Sequence, residues 1–226
     1  LKSKKGVLVM PRYHISINNE VVTCYAKIKC RRARPEEHFE NKEEALAYVD
    51  KLNELESDYI SISRQEPYIT KKISDIVDKI DSCFLDGLEY RTKSLSSTRE
   101  KVLIRKEVNS INELFDVVRY TAVSKTKNYI KNKDKILKDL EEKGFTIYKE
   151  KNTWLRNGYK GINVKLISPN NIKFELQFHT EQSLEAKEKV HKYYEEQRLP
   201  STTEERKREL AIIMNQIFNE IPNPYE

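Results

Sequence analysis

Two hydrophobic rhythms alternate along the chain. Near the start, HISI and VVTCYAKIK are β-rich runs, and Asn18-Asn19-Glu20 between them reads as a hairpin turn. Asn41 can cap a helix that starts at Lys42-Glu43-Glu44. That helix, over 42–57, sets Ala45, Tyr48, Leu52 and Leu55 along one stripe. A second helix is predicted over 67–84, where Ile69, Ile73, Ile76, Val77 and Ile80 recur at three-to-four spacing. A polar stretch over 91–101, a helical stretch around 110–115 and a strand Val117–Val123 follow. Asp134–Lys143 belongs to a charged helix that Gly144 stops. Beyond it the pattern alternates as in strands: FTIYKE, INVKLI, then IKFELQFH, with Pro169-Asn170-Asn171 as the turn between the last two. Helices over 181–197 and 203–219 close the chain, parted by Leu199-Pro200-Ser201.

These elements predict an α/β fold with a mixed, mostly antiparallel sheet of about four or five strands flanked by helices. A small hairpin-plus-helix unit is expected over 1–60 and the larger domain over 61–226. No internal repeat or low-complexity tract interrupts the pattern. Of the 226 residues 38% are hydrophobic and 35% charged, so the expected core is modest and the surface heavily charged. No run of about 18 apolar residues is present, so no membrane partner is expected. The apolar stretch Val7–Pro11 is too short for a signal-peptide core. Leu1 in place of an initiator methionine is what a piece of a longer protein shows.

The net charge of +6 permits a polyanionic partner without demanding one, since a lysine-rich composition gives the same excess. Three cysteines, an odd number, argue against a disulfide framework and for a reducing compartment. Cys24-x5-Cys30-x7-His38, with His14 nearby, has the residue types of a zinc knuckle but not its standard C-x2-C spacing. Alternation sets Cys24 and Cys30 on one face of a strand, where packing accounts for them more simply.

Four stretches can carry chemistry. In the strand FELQFH, Phe174, Leu176 and Phe178 point one way and Glu175, Gln177 and His179 the other, with roughly 6–7 Å between neighbours on a face. The polar triple can be an ordinary solvated face. It can also place a carboxylate to ligate magnesium or take a proton from a hydroxyl. In Arg91–Lys101, Lys93, Ser97 and Lys101 share a face if the segment is helical. Five hydroxyl residues among those cations suit phosphate oxygens better than helix stability; a frayed exposed segment is the plainer reading. Asn157–Asn163 brackets Tyr159 and Lys160 with two glycines, as a packed turn or as a platform for a base. Asp116 and Arg119 lie at a strand entrance, either as ion-pair members or facing a polyphosphate.

Their order along the chain is more telling than any one of them. R-x-K-x3-S-x3-K, an acid and arginine on a strand, Y-K-G-I-N, E-L-Q-F-H-T and a helix bearing His191 together resemble the synthetase domain of the RelA/SpoT alarmone enzymes, over about residues 88–198. That family carries R-x-K-x3-S-x3-K, D-x4-R, Y-x-S-x-H and E-x-Q-x-R-T motifs and a following histidine. The resemblance implies ATP-dependent transfer of a β,γ-pyrophosphate to a ribose 3′-hydroxyl with Mg2+, in a nucleotidyltransferase-related fold. It implies that Arg91, Lys93, Ser97, Lys101 and Gln177 bind ATP. It implies catalytic roles for Glu175, Asp116 and Arg119, with Asp116 and Glu175 as the metal ligands. Tyr159, Lys160, Asn163, His179 and His191 are the implied acceptor-binding residues.

The departures bear on the acceptor. Leu114 stands where the family has its acid, and the nearest acid is Asp116. The Y-x-S-x-H turn has lost its serine and histidine, and His179 replaces the arginine of E-x-Q-x-R-T. Since the phosphate-holding motif is intact and the later motifs are not, the expectation is a retained donor and a changed acceptor: tRNA or a nucleotide other than GDP or GTP. A toxin of cytoplasmic action is expected, delivered as part of a larger secreted or phage protein and opposed by an antitoxin or immunity protein. A non-catalytic nucleotide- or RNA-binding module and a nucleotidyltransferase-type toxin are the alternatives.

Overall fold

The computed structural model describes residues 12–25 and 37–226. The chain divides into two compact units, Leu1–Ser61 with Ser94–Ile111, and Ile62–Lys93 with Asn112–Glu226. Cys30 lies outside the described residues.

In the smaller unit, β1 (Arg12–Ile15) pairs antiparallel with β2 (Val21–Cys24) and with β3 (His38–Phe39), in the order β2-β1-β3. The hairpin turns where the sequence places it: Asn19 takes a positive φ of 59°, a conformation that asparagine tolerates well. Helix α1 (Lys42–Val77) begins as expected, with the Asn41 side chain accepting from the Glu44 amide at 2.7 Å. Ile15, Ala45 and Leu52 form this unit's buried cluster, packed by Tyr13, Val21, Phe39, Tyr48, Val49 and Leu103.

The two helices predicted over 42–57 and 67–84 are one 36-residue helix, with Pro67 inside it. The apolar stripe continues on both sides of the proline through Leu52, Leu55, Ile62, Ile69, Ile73 and Ile76, and its burial outweighs the hydrogen bond that a proline costs. The helix ends at Val77, not 84, because Cys83–Asp86 leaves it as strand β4. The polar stretch 91–101 is also only partly helical. Ser94 caps α2 (Leu95–Arg99), which passes directly into a π-helical turn over Glu100–Ile104. Lys93 precedes the cap, so it does not share a helical face with Ser97 and Lys101.

In the larger unit, β4 is followed by β5 (Arg119–Ser124), α3 (Tyr129–Glu141), β6 (Thr146–Asn152), β7 (Ile162–Ile167), β8 (Lys173–Thr180), α4 (Glu181–Arg198) and α5 (Glu204–Asn219). The sheet order is β4-β5-β8-β7-β6; β5 and β8 run parallel and the other neighbours antiparallel. This is the mixed, mostly antiparallel five-stranded sheet that the alternation predicts. Tyr120, Ala122, Ile162, Val164, Leu166, Phe174, Leu176 and Phe178 are buried on one face. The Tyr129 hydroxyl, from α3, donates to the Phe178 carbonyl at 2.8 Å and accepts from the Trp154 indole at 3.0 Å. Gly144, with φ of 83°, ends the helical region, and Asn171, with φ of 62°, makes the turn between β7 and β8.

Candidate active site

Strand parity and register assemble a polar row on the sheet's other face. Across the parallel pair, Arg119 stands opposite Glu175, Thr121 opposite Gln177 and Val123 opposite His179. Asp86 on β4 stands opposite Thr121, while Lys165 and Asn163 on β7 stand opposite Glu175 and Gln177. Side chains of directly paired residues share a face. Four strands thus supply charged and amide groups to one surface.

Hydrogen bonds fix the centre of this row. Gln177 donates to Glu175 Oε1 at 2.6 Å and accepts from Lys187 Nζ at 2.8 Å. Lys187 is contributed by α4, one turn beyond Ser183. Burial lowers its pKa to about 8; the nearby Arg119 acts in the same direction, and Glu175 and Asp86 act against both. An ammonium so weakened still binds anions in neutral solution and can give up its proton just above it.

The end of the row leads into the residues before β5. Thr92 bridges Val118, Lys93 N–H donates to the Val117 carbonyl at 2.8 Å, and Arg119 N–H donates to the Arg91 carbonyl at 2.7 Å. Residues 91–93 are thereby strapped alongside the entrance of β5. The Lys93 ammonium lies 3.3 Å from Asp116 Oδ2. Asp116 precedes the strand, in an irregular stretch, and is half-buried, whereas Leu114, in the family's acid position, is buried.

Arg91 is aimed from behind. Its Nε donates to Glu66 Oε1 at 2.6 Å and its Nη1 to the Leu88 carbonyl at 2.6 Å, which leaves further N–H donors of the guanidinium for another acceptor. Glu66, on α1, is only 4% exposed. Thr70 donates to it as well, as does the Tyr120 hydroxyl at 3.2 Å. Burial alone pushes the Glu66 carboxyl up, but the hydrogen bonds from Arg91 and Thr70 and the Arg91 charge outweigh it and hold it below its usual range.

At the opposite end, His179 is fully buried. Its Nε2 lies 2.8 Å from the Tyr159 hydroxyl and its Nδ1 2.9 Å from Ser183 Oγ, while Tyr159 donates to Asn163 Oδ1 at 2.9 Å. The phenol's one proton goes to Asn163, so Nε2–H donates to the phenol oxygen. Burial, aided by the Lys187 charge, lowers the His179 pKa to about 3, and the imidazole is neutral at ordinary pH. Burial also raises the Tyr159 phenol, with the Glu175 charge adding to it. Gly161 makes room for the pair: a Cβ there would stand 2.8 Å from the Tyr159 hydroxyl oxygen and 3.1 Å from His179 Cε1.

Of the residues singled out in the sequence, Glu175, Gln177, Arg119, Asp116, Arg91 and Lys93 fall along the sheet face and its β5 entrance. Ser97 and Lys101 belong to the smaller unit, where Ser97 accepts from Ser94 Oγ at 2.9 Å and Lys101 lies 3.8 Å from Glu107. His179, expected to face an acceptor, is enclosed and supports Tyr159 instead. Lys160 donates to the Trp154 and Arg156 carbonyls, at 3.1 and 2.6 Å, and borders a cleft of about 330 Å³ with Trp154, Phe218 and Ile221. His191 is exposed on α4. Sequence reasoning passed over Lys187, Ser183 and Glu66. Glu66 left a signal, a carboxylate set within the stripe Ile62, Ile69, Ile73; Lys187 and Ser183 read as ordinary residues of a charged helix.

Asp116 and Glu175 are each hard carboxylate donors, the ligand type that magnesium takes beside water and phosphate oxygens. Among the described residues, no helix is long and apolar enough to cross a membrane.

No protein-family model and no curated protein sequence matches the chain. Solved structures do. The Type VI effector Tas1, from a complex with its immunity protein, matches with a TM-score of 0.54 at 15% identity, over 74% of this chain and 95% of that one. The small alarmone synthetase 2 of Bacillus subtilis matches with a TM-score of 0.51 at 18% identity, over 73% and 94%. The small alarmone synthetase 1 of the same organism, bound to its product pppGpp, gives 0.50 at 16% identity, over 73% and 93%. The mixed five-stranded sheet with its flanking helices is the one those proteins share, and the chain therefore has the RelA/SpoT-type fold of the small alarmone synthetases.

Proposed function

We propose that the protein is an ATP-dependent pyrophosphotransferase that moves the β,γ-pyrophosphate of ATP to a ribose 3′-hydroxyl of tRNA or of a nucleotide, and that it acts as a toxin. The row Arg119–Glu175–Gln177–Lys187 supports this reading most, because it sets the Glu175 carboxylate beside a hydrogen-bonded amide, with an arginine opposite it in the register and a lysine on that amide, on the polar face of a synthetase-type sheet. The acceptor oxygen attacks the β-phosphorus, the bond from that phosphorus to the α–β bridging oxygen breaks, and AMP leaves. Such a transfer needs charge neutralisation and alignment more than covalent help.

Glu175 takes the proton of the attacking hydroxyl. Gln177 holds Glu175 Oε1 in place, and Lys187 holds Gln177. Arg91, oriented by Glu66, contacts the donor phosphates with Lys93, and Arg119 offsets charge that develops on the transferred group; Ser97 and Lys101 keep the ATP-binding role that the resemblance implies. Magnesium, held by Asp116 and Glu175, would supply further neutralisation of the polyphosphate. Tyr159 offers its ring to the acceptor base while His179, Asn163 and Gly161 keep its hydroxyl in place; Lys160 and His191 lie on the acceptor side.

Tas1 was solved with an immunity protein. A neutralising antitoxin or immunity partner, delivery within a larger secreted or phage protein, and action in the cytoplasm of a target cell form the corresponding proposal for this chain.

The test is incubation of the pure protein with ATP labelled at the γ or the α position, magnesium, a panel of nucleotides and total tRNA. Label is expected to reach an acceptor from the γ position only, and Glu175→Gln or Lys101→Ala to abolish that transfer without unfolding the protein. Transfer from the α position would establish a nucleotidyltransferase instead. No transfer to any acceptor, with ATP or tRNA still bound, would establish a binding module.

A further inference from the structure

The smaller unit carries a second chemical feature, apart from the polar row. Its three-stranded sheet has two faces. Tyr13, Ile15, Val21 and Phe39 point toward α1 and close the unit's apolar cluster. The other face would ordinarily be solvated. It instead bears His14, Cys24 and His38, one from each strand.

The register explains the gathering. His14 stands directly opposite His38 on β3 and Val22 on β2, and Cys24 lies two residues along β2 from Val22, on the same face. The two imidazole centroids are 5.9 Å apart. A ligating atom from each of the three residues lies within 4.8 Å of the other two. His14 and Cys24 are buried, at 6% and 7% exposure, and His38 is half-buried.

We infer that His14, Cys24 and His38 form a binding site for a zinc ion that fastens the three strands of the smaller unit. Three atoms mutually within 4.8 Å always have a point no farther than about 2.8 Å from each. Zinc bonds to imidazole nitrogen and thiolate sulfur are roughly 2.0–2.3 Å, so small rotations of the three side chains complete the approach. The donor set selects the metal: two imidazoles and one thiolate, with no carboxylate in the cluster among the described residues, suit zinc and not magnesium or calcium. Binding expels the thiol proton of Cys24, and the thiolate is the ligand.

The unit has reason to need such a fastening. Among the described residues its strands are only four, four and two residues long, and its buried apolar cluster has three members. Small units with cores of that size are commonly held by a disulfide or a metal. Cys24 is a free thiol, which leaves it available as a ligand.

The experiment uses the full chain, purified without chelator. Metal content by mass spectrometry is expected to give one zinc per chain. Cobalt(II) in place of zinc is expected to show a sulfur-to-metal charge-transfer band that Cys24→Ser abolishes. Cys24→Ser and His14→Ala are each expected to weaken zinc by at least about 100-fold, beyond the range typical of changes outside the ligand sphere. Fluorescence of Trp154, in the larger unit, verifies that each variant retains that unit. Chelation of the wild-type chain, which needs no substitution, is expected to lower its melting temperature, and added zinc to restore it. Zinc at background level with no saturable uptake would overturn the inference. So would one equivalent of zinc that persists when Cys24→Ser and His14→Ala are combined.

Discussion

Replacing Lys187 by methionine isolates a charge that the fold holds at a cost. The lysine's pKa falls from 10.5 to about 8, chiefly through burial. A group whose folded pKa is depressed binds fewer protons in the native state than in the unfolded state throughout the interval between the two values. Unfolding free energy therefore rises with pH across that interval. At 1.36 kcal/mol per pKa unit, the wild-type protein bears a penalty of about 3 kcal/mol below pH 8, most of which is relieved by pH 10. Methionine has no such titration, although it leaves Gln177 Oε1 without its donor, a pH-independent loss of about 1–3 kcal/mol. The stability of wild type relative to Lys187→Met is thus expected to increase by about 2–3 kcal/mol between pH 7 and pH 10. Urea unfolding at several pH values reads this directly, with the single, buried Trp154 as the probe. The buried tyrosines, whose pKa values are raised, titrate alike in both proteins and cancel in the difference. A difference that stays flat from pH 7 to 10 would refute the reasoning, because it would mean that Lys187 is solvated and not part of the row.

Three further outcomes are expected. Glu66→Ala strips the Arg91 guanidinium and the Tyr120 hydroxyl of a shared buried partner and should cost about 3–5 kcal/mol in urea unfolding, with Glu66→Gln recovering part of it. Gly161→Ala drives a methyl against the Tyr159–His179 pair and should cost about 1–3 kcal/mol, with acceptor KM rising more than donor KM. His179, whose pKa is depressed to about 3, contributes stability that is lost as pH falls from 6.5 toward 3; His179→Gln should flatten that acid limb, and a limb unchanged in the variant would count against a buried neutral imidazole.

How much of this was legible beforehand follows from the range of each signal. Period-two and period-3.6 patterns are local, and they marked β6, β7, β8, α4 and α5 to within a few residues and the later part of α3. The same locality misread α1, since Pro67 is a strong local stop that a long buried stripe overrides. It also assigned Cys83 and Phe84 to a helix when they belong to an edge strand, paired through Ser124 and Val123. Phosphate-type residues at Arg91, Lys93, Asp116, Arg119, Glu175 and Gln177 were visible because charged and amide side chains at fixed spacing are conspicuous in a sequence.

By itself, then, the sequence determined the elements, the polar triple of FELQFH and the ordered set of charges along the chain, since these depend on residue type and spacing alone. Tertiary structure decided what each charge faces. Only the parallel register of β5 and β8 puts Arg119 beside Glu175, and only the return of α4 brings Lys187 to Gln177. His179, the third member of the triple, changed most. Alternation places it on the polar face, but the turn at Gly161 and the cap at Ser183 enclose it there, and an enclosed imidazole becomes a neutral support for Tyr159. Burial is set by what arrives from distant parts of the chain, and spacing carries no record of it.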